Sequence, residues 1–113
     1  MTNQWALDGR WTVREESAQL DKADGRIVYR FRGRDLHLVL GPSSDGKPVR
    51  FRVTIDGKAP GADHGMDIDA DGNGTVTSQR LYQLVRQATG TGERTFEITF
   101  LDPGVQAYAF TFG

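Results

Sequence analysis

Between Arg26 and Arg32 the chain alternates strictly, with Ile27, Tyr29 and Phe31 on one side and Arg26, Val28, Arg30 and Arg32 on the other. Period-two alternation places successive side chains on opposite faces of an extended strand, one buried and one solvated. Leu36, Leu38 and Leu40 repeat the pattern against Asp35, His37 and Val39. The intervening Gly33-Arg34 suits a two-residue turn with glycine first, so the pattern predicts a β-hairpin. Phe51, Val53 and Ile55 form a third apolar face, ended by Asp56-Gly57, and Phe96, Ile98 and Phe100 a fourth, ended by Asp102-Pro103-Gly104. Proline fixes φ and donates no ladder hydrogen bond, which stops the strand there. Tyr108, Phe110 and Phe112 predict a last strand, and alternation assigns Tyr29 and Tyr108 to the core. Shorter strands are expected at Trp5–Leu7, at Arg10–Val13 beyond Asp8-Gly9, and at Ser17–Leu20.

Five Asp-Gly dipeptides, at residues 8, 24, 45, 56 and 71, punctuate these segments. Each favours a tight turn with positive φ. Arg80–Gln87 is ambiguous: Leu81, Leu84 and Val85 stand at i, i+3 and i+4, a helical spacing. Its shortness and its strand neighbours decide for a strand. Eight to nine strands in one chain, without an internal repeat, predict an all-β, antiparallel two-sheet β-sandwich of jelly-roll type.

Composition narrows the function. The 113 residues suit a single domain spanning 1–113, and 37% hydrophobic content is enough for one core. Fourteen basic against fifteen acidic residues give a net charge of -1, which argues against nucleic acid as a partner. No apolar run approaches the ~20 residues of a membrane-spanning helix, so direct membrane insertion is not expected. The amino terminus shows no secretion signal. With no cysteine, disulfides, thiolate metal sites and thiol nucleophiles are excluded together.

The densest polar cluster runs from Asp63 to Gly74. Asp67, Asp69, Asp71 and Gly72 occupy positions 1, 3, 5 and 6 of an EF-hand loop, the pattern that collects carboxylates around Ca²⁺. Gly74 and Ser78 then stand where an apolar residue and the bidentate Glu belong. The segment therefore reads first as a loop of local turns, with no cofactor expected and a weak Ca²⁺ site as the alternative. A second cluster is basic: Arg26, Arg30 and Arg32 share a strand face, as do Arg50 and Arg52. With His37 these would line one sheet if the strands are neighbours, either as an anion-binding face or as a solvated face paired with Glu97 and other carboxylates. Trp11 and Tyr82, with Arg80 as a hydrogen-bond donor, are the candidates for stacking on a sugar ring; core packing is the competing role for both aromatics. The serines lie outside any nucleophile-elbow context and only His37 and His64 offer imidazoles, so an enzyme is not expected.

Several stretches carry a family resemblance: Trp5-Ala6-Leu7-Asp8-Gly9-Arg10-Trp11, Phe51–Gly57, Asp69–Gly74, Arg80–Arg86 and, above all, Phe96–Phe110. Together the chain resembles the carboxy-terminal domain of DipZ-type thiol–disulfide interchange proteins, over essentially its whole length. The resemblance implies a fold similar to carbohydrate-binding modules and a position after a thioredoxin-like domain, within a larger extracytoplasmic protein. That family's Cys-x-x-Cys motif belongs to the thioredoxin-like part, so no catalytic residue transfers here. The function implied is a non-catalytic accessory domain whose partners are a carbohydrate ligand or the neighbouring thioredoxin-like domain; the alternative is a purely structural module supporting that domain.

Overall fold

A computed structural model describes residues 5–87 and 92–112. Ten strands follow one another: β1 (Trp5–Asp8), β2 (Trp11–Val13), β3 (Ala18–Leu20), β4 (Gly25–Arg32), β5 (Asp35–Gly41), β6 (Val49–Ile55), β7 (Asn73–Val76), β8 (Arg80–Arg86), β9 (Glu93–Phe100) and β10 (Gln106–Phe112). A short 3-10 turn, Gly61–Asp63, interrupts the loop between β6 and β7. The strands form two antiparallel five-stranded sheets, in the orders β1-β4-β9-β6-β7 and β2-β3-β10-β5-β8. The jelly-roll sandwich expected from the alternation is therefore present, with ten strands in place of eight or nine. The strand missed is β7, whose four residues Asn-Gly-Thr-Val carry a single buried apolar side chain, Val76.

The predicted β4–β5 hairpin is corrected. β4 pairs with β1 and β9, whereas β5 pairs with β10 and β8 in the other sheet. Gly33-Arg34 thus carries the chain from one sheet to the other. Alternation cannot distinguish the two arrangements, because a strand shows the same buried and exposed faces whichever neighbour it hydrogen-bonds. The β1–β2 connection at Asp8-Gly9 also changes sheets. Among the Asp-Gly pairs, Asp56 (φ 53) and Gly57 (φ 81) both adopt positive φ, and Ile55 and Lys58 exchange backbone hydrogen bonds of 2.8 and 3.1 Å around them. This is the tight two-residue turn that the dipeptide predicts.

Between the sheets, Ile27, Phe31, Phe51, Phe96, Ile98 and Phe100 meet Leu20, Leu36, Leu38, Leu40, Tyr82 and Leu84, all fully buried. Each such side chain contributes about 1.5–3 kcal/mol relative to exposure. Phe51 of one sheet stands edge-on to Tyr82 of the other, 6.5 Å between ring centroids at 85°.

The ambiguous segment resolves as strand β8 with a bulge. Leu36 pairs with Val85 and His37 with Gln83, leaving Leu84 as an extra residue. Consecutive Leu84 and Val85 are then both buried while Leu81 points outward. The helical spacing was the signature of a β-bulge. A second bulge falls at Tyr108, between the pairs Ala107↔Leu40 and Ala109↔Val39. It moves Tyr108 out of the core, contrary to expectation, so that its ring lies over Gly41. The side chains of Phe110 and Phe112 lie outside the described residues.

Candidate binding site

Of the three stacking candidates, Tyr82 is corrected. Its ring has no solvent-exposed surface, one side faces Phe51, and the Arg80 guanidinium carbon lies 3.9 Å from the ring centroid. The hydroxyl donates to the Ser78 carbonyl at 2.7 Å and accepts from the amides of Thr77 and Ser78 at 3.0 and 3.3 Å. Tyr82 therefore pins the β7–β8 turn to the core and offers no face to a ligand. Core packing is the competing role for this residue, and its complete burial decides for it. Trp11 is half-buried, edge-on to Phe100 at 5.9 Å, with its indole N–H donating to the Asp8 carbonyl at 2.9 Å. Arg80 is half-exposed but committed: it donates to Asp67 Oδ1 at 2.8 Å and to its neighbour's carbonyl, that of Leu81, at 2.9 Å.

The acidic loop does not coil around a common centre. Asp67 turns to Arg80 and to the Gln83 amide, 2.7 Å from Oδ2. Burial pushes its carboxyl up, but the hydrogen bonds from Arg80 and Gln83 outweigh this and hold it below the usual range. Asp69 accepts from the amides of Asp71 and Asn73, at 3.0 and 2.9 Å, in a local Asx turn. Asp71 is exposed. Among the described residues no group of three or more His, Asp or Glu side chains is disposed to hold a metal ion. The same loop instead covers an edge strand: the Gly65 and Asp67 amides donate to the carbonyls of Leu84 and Gln83 on β8.

β4 and β6 flank β9, so the five arginines do lie in one sheet. They are largely paired. Arg26 sits between Asp8 and Glu97, Arg30 reaches Glu93 at 3.4 Å, Arg50 forks onto Asp102, and Arg52 donates to Asn73 at 3.2 Å. That is the solvated, cross-strand-paired face. His37 does not join it, because β5 belongs to the opposite sheet.

The site that sequence reasoning missed is a cleft of about 720 Å³ along one side of the sandwich. It is lined by Leu7, Ile27 and Tyr29 from the β1–β4 edge, by Leu38, Ala107 and Ala109 of the other sheet, and by Val13 with the β2–β3 loop, residues 14–17. Its origin is topological. β3 has three residues and pairs with β10 only at Gln106 and Ala107. Beyond that point, among the described residues, β10 has no neighbour on this side. Burial pushes the Tyr29 phenol up. The Tyr108 hydroxyl is shared between Gln79 and Gln106, 3.2 Å from each amide oxygen. A weak signal existed: Ser17–Leu20 is too short to cover the last strand.

Comparison with known proteins follows the fold. The family described as thioredoxin-like C-terminal domain matches residues 1–113. No curated protein matches the chain. Among solved structures, a family two carbohydrate esterase from Clostridium thermocellum, in complex with cellohexaose, is similar with a TM-score of 0.74 and 14% identity, over 97% of this chain and 31% of that one. A family two carbohydrate esterase from Cellvibrio japonicus gives 0.68 and 16%, over 94% and 29%. An acetyl xylan esterase from the rumen bacterium Butyrivibrio proteoclasticus gives 0.61 and 12%, over 100% and 31%. The chain spans about a third of the length of these proteins. At such identities the likeness is one of fold.

Proposed function

We propose that this chain, which belongs to the thioredoxin-like C-terminal domain family, is a non-catalytic accessory module of a thioredoxin-like thiol–disulfide oxidoreductase. The observation that carries this reading is the family match over the whole of a chain without a single cysteine. Thiol–disulfide exchange proceeds by thiolate attack, so the chemistry has to reside in another domain. The reading is supported by the structural engagement of Asp67, Asp69 and Asp102, which are occupied by arginines and backbone amides.

Within the accessory role, ligand capture is favoured over a purely structural part by the cleft, whose volume lies in the range of small-molecule sites. A carbohydrate ligand remains a proposal that rests on fold likeness alone. For it Trp11 and Arg80 are the surviving residues, since Tyr82 is buried.

The test begins with the residues encoded ahead of this chain, where a Cys-x-x-Cys thioredoxin-like domain is expected. Insulin reduction is then compared for the parent protein, for the parent lacking residues 1–113, and for the isolated chain. The isolated chain is expected to be inert and the truncated parent to keep its dithiol chemistry. Insulin reduction by the pure isolated chain, or a parent without a Cys-x-x-Cys domain, would overturn the reading.

A further inference from the structure

The bulge that takes Tyr108 out of the core delivers it to the outer face of the β2-β3-β10-β5-β8 sheet, and register supplies its neighbours there. Val39 pairs with Ala109 on one side and with Leu81 on the other. Leu38, Leu40 and Tyr82 point inward and are buried, so Val39 and Leu81 point outward. Ala109 is exposed, Leu81 is 39% exposed and Val39 is half-buried. The three make an apolar strip across three strands, about 10 Å long at the usual strand spacing. Tyr108, itself half-buried, and Gln79 flank the strip above Gly41.

The polar groups around the strip are amides. Gln79 and Gln106 hold the Tyr108 hydroxyl between them, which fixes the ring before any ligand arrives. Gln83, two residues along β8 from Leu81, faces the same way and is exposed. An amide presents a donor and an acceptor side by side, which matches two adjacent hydroxyls. The outer face of the other sheet is a lattice of arginines and carboxylates. Here the ion pairs stand at the margins: Arg86 with Asp35 at 3.7 Å and Arg80 with Asp67 at 2.8 Å. The strip is also far smaller than the roughly 800 Å² that a folded protein partner covers. An aromatic ring, a short apolar strip and uncharged amides together suit the mixed C–H and hydroxyl faces of a sugar.

We propose that this outer face binds a neutral oligosaccharide, one ring stacked on Tyr108 and the Val39–Leu81 strip and its hydroxyls on the Gln79 and Gln83 amides. The proposal rests on the carbohydrate reading above and gives that reading a site.

The experiment is an NMR titration of the isolated chain with cellohexaose, xylohexaose and mannohexaose, and with an oligogalacturonate as the anionic counterpart. At least one neutral saccharide is expected to give saturable shifts at Val39, Leu81, Gln83 and Tyr108, and the oligogalacturonate to bind more weakly. Tyr108→Ala is expected to weaken binding at least ten-fold and Gln83→Ala about three-fold, while Arg52→Ala, on the opposite sheet, leaves it unchanged. Gln83 is exposed, so its variant keeps the test open if Tyr108→Ala fails to fold. Saturable shifts centred on Trp11 or on the cleft would overturn this site and leave the carbohydrate reading standing. No saturable shifts with any neutral saccharide would overturn both, and the accessory role, read on disulfide exchange by the parent, would be untouched. Tighter binding of the oligogalacturonate, or unchanged affinity in every folded variant of Tyr108 and Gln83, would overturn the proposal equally.

Discussion

The Tyr82 hydroxyl offers a sharp test of the burial argument. Tyr82→Phe keeps the ring against Phe51 and creates almost no cavity, so it isolates the polar contacts. Three backbone groups lose their partner: the amides of Thr77 and Ser78, at 3.0 and 3.3 Å, and the Ser78 carbonyl, at 2.7 Å. Leaving a buried group unsatisfied costs about 1–3 kcal/mol, while an exposed group recovers water. Thr77 and Ser78 are themselves exposed residues, so hydration restores part of the loss. The shorter, better-directed contacts dominate, and the expected cost is about 2 kcal/mol. With an unfolding entropy of about 2.1 cal/mol/K per residue, a chain of 113 residues has about 240 cal/mol/K at its midpoint, so the melting temperature should fall by about 8 °C. Urea unfolding should show a lower midpoint with an unchanged m-value. A variant within about 0.5 kcal/mol of the parent chain would refute the clamp. Loss of ligand binding at unchanged stability would go further and return Tyr82 to a surface role.

Three other outcomes follow from the same contacts. Gly65→Ala places a methyl 2.2 Å from the Gln83 carbonyl oxygen, a backbone atom that cannot step aside; a loss of about 2–3 kcal/mol is expected by urea denaturation, and a neutral variant would show that the loop is not seated on β8. Acid should destabilise the chain. Asp102 is held at about 2 by the Arg50 side chain and amide, and Asp56 is lowered by the Thr95 amide and Arg94, whereas unfolded aspartates titrate near pH 3.9. The unfolded state then binds more protons, so this stability is complete above about pH 5 and lost as pH falls toward 2. Asp102→Asn should lower the neutral-pH urea midpoint and flatten the acid limb, and an unaltered limb would contradict the assignment. Millimolar Ca²⁺ should shift the melting temperature by less than about 2 °C relative to a chelator, because Asp67 and Asp69 are already engaged. A rise of several degrees that Asp69→Ala removes would reverse that reading.

What sequence made legible was the face of each strand, because alternation is a local property. Ile27, Phe31, Leu38, Phe51 and Phe96 are all buried as the pattern required. Strand partnership was illegible, since nothing in Gly33-Arg34 distinguishes a hairpin from a passage between sheets. Bulges defeated the pattern twice. At Leu84 an inserted residue mimicked a helical period, and at Tyr108 another carried an aromatic out of the core. Tyr82, open to either stacking or core packing by sequence, proves to be core. The cleft depended on something less visible still: how far β3 extends along β10. His37 was misplaced for the same reason as the hairpin, since assigning β5 to the wrong sheet moves every outward side chain to the opposite side of the molecule.

The strand order also fixes when this chain can fold during its synthesis. β9 is the middle strand of one sheet and β10 the middle strand of the other, and of the ten described strands they are the last two made. Until residue 93 leaves the ribosome, β4 has no β9 and β6 is joined to nothing but β7; until residue 106 follows, β3 and β5 have no bridge. Among the described residues only β2–β3 and β6–β7 pair strands adjacent in sequence, and two-stranded units are marginal alone in water. The emerging polypeptide therefore waits, with its Phe and Leu faces unpaired, for β9 and β10, and then closes both sheets through partners some seventy positions apart. Until then its exposed apolar faces leave the nascent chain prone to association with other chains.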